Sequence, residues 1–129
     1  MSIDPDLQAL ATTTNFAALS TLAADGQPRT HMMWIDADDE HVIFNTDLAR
    51  AKFADIERDP RVTVTVIDQA NPYRYVEARG RVVAAVTGDE AAAHINALSQ
   101  RYMAKDYWGD TSGRVIVKIA PAKLHKNGF

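Results

Sequence analysis

Apolar and polar residues alternate with a period of two along most of this chain, and the alternation gives way to a helical period in three places. RVTVTVID (61–68) shows it best: Val62, Val64 and Val66 fall on one face, Thr63 and Thr65 on the other, as in a half-buried strand. FAALSTLA (16–23) and RTHMMWI (29–35) read as strands joined through the hairpin signal DGQP (25–28). HVIFNT (41–46) reads as a third strand after the polar turn DADDE (36–40). YRYVEARGRVVAAV (73–86), beyond the loop QANP (69–72), is long for a strand. It puts Val76, Ala78, Val82, Ala84 and Val86 on one face, and Tyr73, Tyr75, Glu77, Arg79 and Arg81 on the other. Gly80 near its middle marks a bend or bulge, as where a sheet curls into a barrel. RVIVKIAP (114–121) is the last strand, expected to stop at Pro121.

The first helical stretch covers 4–12, with Asp4 as cap and Pro5 at its first position. The second lies in NTDLARAKFADIERDP (45–60), a strand end followed by a short helix capped by Asp47 and stopped at Pro60. The third is TGDEAAAHINALSQRYMAK (87–105). Its stripe Ala91, Ile95, Leu98 and Tyr102 has helical spacing, and Thr87 with Glu90 suit a capping box. Helices do not alternate with strands, which argues against a parallel doubly wound sheet. The expected fold is mainly β: a six-stranded antiparallel barrel with peripheral helices, one domain over residues 1–129.

Composition narrows the function classes. A net charge of -3 over 129 residues gives no basic field for nucleic acid or an anionic membrane. Cysteine is absent, so disulfides, thiol catalysis and thiolate metal sites are excluded. The N-terminus lacks the features of a signal peptide and no apolar run nears the roughly 20 residues of a membrane span, so a cytoplasmic location is expected. His31, His41, His94 and His125 show no metal-ligand spacing, and no metal site is expected. His94, off its helix's apolar stripe, is expected to face solvent, and His31 to lie near the site. No G-x-G-x-x-G, P-loop or G-x-S-x-G motif occurs.

One local arrangement runs against electrostatics. The helix after HVIFNT opens with Arg50 and Lys52, and no acidic residue follows until Asp55. A helix start is already electropositive, so each cation there costs a few tenths to about 1 kcal/mol. Two readings fit: both side chains point into water and pair with Asp55, Glu57 or Asp59, or the bare N–H groups and the two cations hold an anion such as phosphate.

Four stretches, FAALSTLAADGQPRTHMMWI, IFNTDLARAKFADIERDPRVTVTVID, YVEARGRV and RVIVKIAPAKL, together with SQRYMAKDYW, resemble in order the split β-barrel flavin and deazaflavin proteins related to pyridoxamine 5'-phosphate oxidase. Among them the chain is most similar to the small class that uses coenzyme F420. The resemblance implies a homodimer with cofactors at the subunit interface. It implies that Arg50 and Lys52, with Ala51 between them at the cofactor, grip its phosphate or acidic tail, and that Asn45, Thr46 and Asp47 line the same groove. Met32, Met33 and Trp34 would lie along the ring. The chain departs from the commonest pattern at His31-Met32, where relatives often carry Ser-Pro, and at Ala104, where they often carry Gly.

The resemblance also implies hydride transfer between F420 and a small conjugated or heteroaromatic substrate. The alternatives are an FMN oxidoreductase of the same fold and a non-catalytic carrier of the cofactor or of a tetrapyrrole. The cofactor carries the chemistry, so no strong catalytic acid is required. Tyr73, Tyr75 and His31 are candidate proton donors, and Arg29, Arg79, Arg81, Lys105 and Lys126 are candidates for the cofactor's acidic tail. Tyr107 and Trp108 are expected to plug the core or an interface, or to wall the substrate pocket. The aromatic and arginine face of 73–81 suits a subunit interface.

Overall fold

The structure is a computed structural model that describes residues 2–129. Seven antiparallel strands form one sheet: β1 (Phe16–Leu22), β2 (Pro28–Trp34), β3 (Asp36–Ala37), β4 (Val42–Asp47), β5 (Arg61–Ile67), β6 (Tyr75–Thr87) and β7 (Arg114–Asn127). Three helices accompany them: α1 (Pro5–Ala11), α2 (Ala51–Arg58) and α3 (Asp89–Met103). The strand order is β2-β1-β5-β6-β7-β4-β3, and β2 touches β4 although they stand far apart in that order. The sheet therefore curls into the expected split barrel, with the two-residue β3 added where a turn was expected.

The alternation in the sequence sorts the strands' faces. Leu19, Phe44, Val64, Val76 and Val117 point inward and are fully buried, joined by Leu7, Leu10 and Ala11 of α1 and by Phe53 and Ile56 of α2. On the outer face, Ile43 and Ile116 pack against Ala91 of α3, with Val86 partly buried beside them. α3 thus lies against β4 and β7, where the candidate site forms.

β7 does not stop at Pro121 but runs to Asn127. Arg79 pairs with Lys123 while Gly80 pairs with Pro121, so Ala122 is left unpaired in a bulge. A proline that lacks an N–H is tolerated at such an irregularity. Gly80 is where the two strands crowd: a Cβ there would lie 2.2 Å from the carbonyl oxygen of Ala120. Val83, unpaired between Val82 and Ala84, marks a second bulge. These two breaks bend β6 and β7 around the core.

Helix ends differ from expectation. Asp4 caps α1 as read, its Oδ1 accepting from the N–H groups of Asp6 and Leu7. Asp47 does not cap α2. It ends β4, and its Oδ1 accepts from the N–H of Ala49 while α2 begins after Arg50 with no side-chain cap. The Thr87–Glu90 box is replaced by Gly88 at φ 81°, also without a side-chain cap. Ala104 takes the left-handed position that ends α3, at φ 57°. Glycine takes that conformation without strain. No helix among the described residues is long and apolar enough to cross a membrane.

Candidate functional site

Strand alternation sends Asn45 and Asp47 to the outer face of β4, toward α3, while Thr46 turns into the core at 3% exposure. Arg114, the first residue of β7, is the cross-strand partner of Asp47. Between these strands, β2 and α3 lies a cleft of about 250 Å³. Met33 and Trp34 form one wall, Ile95 and Leu98 the floor, and Asn45, Arg50 and Arg114 the polar side. The segment after α3 closes it with Tyr107 and Trp108.

The wall is a stack of rings. Trp34 lies flat against Tyr102, centroids 5.1 Å apart and planes 6° from parallel, and Trp108 meets Trp34 edge-on at 6.3 Å. Tyr102 is itself fixed, its hydroxyl accepting from the N–H of Ile35 and donating to the carbonyl of Asn15. Two aromatic partners thus hold a flat apolar surface at the mouth of the cleft.

Three cations converge opposite that surface. Arg50 and Lys52 make no ion pair among the described residues, and two of the three carboxylates expected to neutralise them are engaged elsewhere. Asp55 is buried and bound by Thr21, Arg29 and Arg58, and Asp59 by Arg61. Burial lowers the pKa of Lys52, and repulsion from Arg50 and then Arg114 lowers it further. Arg114, 9% exposed, is likewise lowered chiefly by burial, against the pull of Tyr107 and Asp47. Three crowded cations with Asp47 as the one carboxylate acting on Arg114 favour a guest anion.

Second-layer groups fix these side chains. Arg114 Nε donates to Asn45 Oδ1 at 2.8 Å, and Asn45 Nδ2 donates to the carbonyl of Ala91 at 3.0 Å. Asn45 Nδ2 also lies 3.0 Å from His94 Nδ1, whose Nε2 is 2.9 Å from Asp36 Oδ2. His94 is therefore not solvent-facing: its position off the apolar stripe reflects polar partners on β3 and β4.

Burial alone would raise the Asp36 carboxyl, yet hydrogen bonds from His94 and Arg101 outweigh it and leave its pKa below the ordinary value. An unfolded aspartate titrates near 3.9, so the stability Asp36 contributes is complete above about pH 4 and is lost as pH falls through its lower folded value. Asp36→Asn should be less stable than wild type near neutrality, with the gap closing in acid. Urea titrations from about pH 7 to about pH 2 measure this. A constant gap would contradict it.

Of the residues expected at the site, the cleft gathers Met33, Trp34, Asn45 and Arg50, with Lys52 beside them. Met32 does not line the cleft and is 61% exposed. Ala51 is exposed at the start of α2. Tyr73, Tyr75 and His31 do not line the cleft; Tyr73 precedes β6 in a turn at 80% exposure. Three of the cations proposed for an acidic tail are already paired: Arg29 with Asp55, Arg79 with Glu77, and Lys126 with Asp4 and Asp6. Arg81 lies opposite Arg61 on the sheet, while Lys105 sits over the Trp108 ring at 5.1 Å, at the cleft's rim. Trp108, at 64% exposure, is no core plug. Arg114 was not foreseen. Its signal was its place at the start of a strand that pairs with the outward-facing Asn45 and Asp47.

The sequence matches the family model for pyridoxamine 5'-phosphate oxidase over residues 3–128. No curated protein matches it. Among solved structures it is similar to an F420 reductase, at 31% identity over 97% of this chain and 100% of that one, with a TM-score of 0.84. It is also similar in fold to a conserved hypothetical protein from Mycobacterium tuberculosis, at 23% identity over 92% of this chain and 79% of that one, TM-score 0.71. A third is General Stress Protein 26 from Bacillus anthracis, at 20% identity over 95% and 91% of the two chains, TM-score 0.72. With its curled antiparallel sheet and near full-length match, the chain belongs to the pyridoxamine 5'-phosphate oxidase family.

Proposed function

We propose that this chain is an oxidoreductase that uses coenzyme F420 to reduce a small conjugated or heteroaromatic substrate. The observation that carries the reading is the cationic pair Arg50 and Arg114, with Lys52 beside them, across one cleft from the flat Trp34 wall. It suits a guest with a planar ring at one end and phosphate at the other, and the similarity to an F420 reductase favours the deazaflavin over FMN. Arg50, Lys52 and Arg114 would hold the phosphate, and Met33 and Trp34 the ring. When bound, F420 supplies a hydride. The protein orients ring and substrate and keeps water out.

The cleft, at about 250 Å³, is smaller than the usual range for a bound cofactor, roughly 300–1,000 Å³. Met32 and Trp108 stand exposed beside it. A second copy of the chain covering this face would complete the site, giving a homodimer with the cofactor between subunits.

Titration of the pure protein with oxidised and reduced F420, followed through Trp34 and Trp108, tests the reading. Binding tighter than tens of micromolar, on the order of 7 kcal/mol, is expected for F420. Tight FMN binding with no F420 binding would transfer the assignment to an FMN oxidoreductase.

A further inference from the structure

The chain Asp36–His94–Asn45–Arg114 has only one consistent set of donors and acceptors. The carbonyl of Ala91 can only accept, so the Asn45 atom 3.0 Å away is its NH2 group. Arg114 Nε can only donate, so the Asn45 atom 2.8 Å from it is the oxygen. Two independent neighbours therefore set the same amide orientation, and the NH2 also faces His94 Nδ1 at 3.0 Å. Nδ1 must accept. His94 Nε2, 2.9 Å from the Asp36 carboxylate, must donate. The Nδ1 contact thus selects the neutral Nε2–H tautomer, and the Asp36 contact is consistent with it.

We propose that His94 is a positioning residue for the anion cleft: in its neutral form it locks Asn45, which in turn aims Arg114, and its protonation releases both. This rests on the reading of Arg50, Lys52 and Arg114 as an anion site. A protonated imidazole carries N–H on both nitrogens. Its Nδ1–H would oppose the Asn45 NH2, and the relief is rotation of the amide. Rotation withdraws Oδ1 from Arg114 Nε and presents a donor to a donor. The charged groups around His94 are Asp36 on β3, Arg101 on its own helix and, across Asn45, Arg114 on β7 with Arg50 beyond. Because the new charge forms against the Asp36 carboxylate, on the far side of Asn45, it adds little attraction in the cleft. The sign is diagnostic: an added cation by itself would tighten anion binding in acid, whereas loss of Arg114's alignment weakens it.

The test uses the full chain with oxidised F420 as probe, between about pH 8 and about pH 5.5, the range in which imidazoles titrate. Wild-type affinity should fall about five- to tenfold more over this range than that of His94→Gln. The Gln amide offers one acceptor and one donor like the neutral ring but cannot titrate, and a shared probe cancels F420's own protonation. His94→Ala should bind about five- to tenfold more weakly than wild type near pH 8 and about as weakly as wild type near pH 5.5, and His94→Gln should restore most of the loss seen near pH 8. In the ligand-free protein, the Arg114 Nε–H resonance in ¹⁵N-resolved spectra should shift on acidification in wild type and stay in place in His94→Gln. Parallel pH profiles, or an Arg114 resonance that ignores acid in wild type, would overturn the proposal. A resonance that behaves as stated in a protein that binds no F420 would uphold the relay and remove the F420 assignment instead.

Discussion

Arg50→Ala combined with Lys52→Ala should abolish measurable F420 binding while leaving the fold intact. Each side chain is read as making a charge-assisted hydrogen bond to the guest's phosphate, and such bonds contribute about 1.5–3 kcal/mol apiece. Their joint loss, about 3–6 kcal/mol, weakens binding by roughly 10²- to 10⁴-fold. The fold has little stake in either residue. Arg50 is exposed and makes no capping bond, and Lys52 is held at a lowered pKa by burial, Arg50 and Arg114. Removing both relieves like-charge repulsion at a helix start that has no acidic residue in its first turn. Calorimetric titration with F420, alongside near-ultraviolet dichroism of the Trp34–Tyr102 stack, separates binding from folding. Unchanged affinity in a folded double variant would remove the site assignment.

Asp55→Ala should have the opposite profile, a large loss of stability from a residue outside the cleft. Asp55 is 1% exposed, accepts from the equally buried Thr21 hydroxyl at 2.8 Å, and pairs with Arg29 Nε at 3.0 Å and Arg58 Nη1 at 3.5 Å. It ties α2 to β1 and β2. Truncation strands the Thr21 hydroxyl in the core and leaves two guanidiniums without their counter-charge. Removing one partner of a fully buried pair costs about 3–5 kcal/mol. The Arg29 and Arg58 side chains are 39% and 43% exposed and can turn to water, which places the expected loss near 3 kcal/mol, at the lower end. Urea unfolding measures it, and a loss below about 1 kcal/mol would refute the assigned role. Thr21→Val with Asp55→Leu, which removes donor and acceptor together, should recover part of the loss.

The strands, the bend at Gly80 and the inward faces of β5 and β6 followed from alternation, because which face a residue takes depends on its immediate neighbours. Cap assignments fared worse. Asp47 and the Thr87–Glu90 pair have the right residue types, yet β4 extends through Asp47 and Gly88 occupies the cap of α3. Pro121 has the local signature of a strand end, and nothing near it in sequence reveals that its neighbour Ala122 bulges opposite Gly80.

What the sequence determined by itself was the mainly antiparallel architecture, the apolar run of Met32, Met33 and Trp34, and the two cations at the start of α2. Those are properties of adjacent residues, and they survive any arrangement of the distant chain. Only the tertiary structure decided that Asp55 is spent inside the core, that Arg114 joins Arg50 and Lys52, and that His94 reaches across to Asn45 and Asp36. Ion pairs and buried hydrogen bonds form between groups tens of residues apart. Their partners are selected by which strands and helices are brought within about 3 Å, a choice made by the packing of the whole barrel.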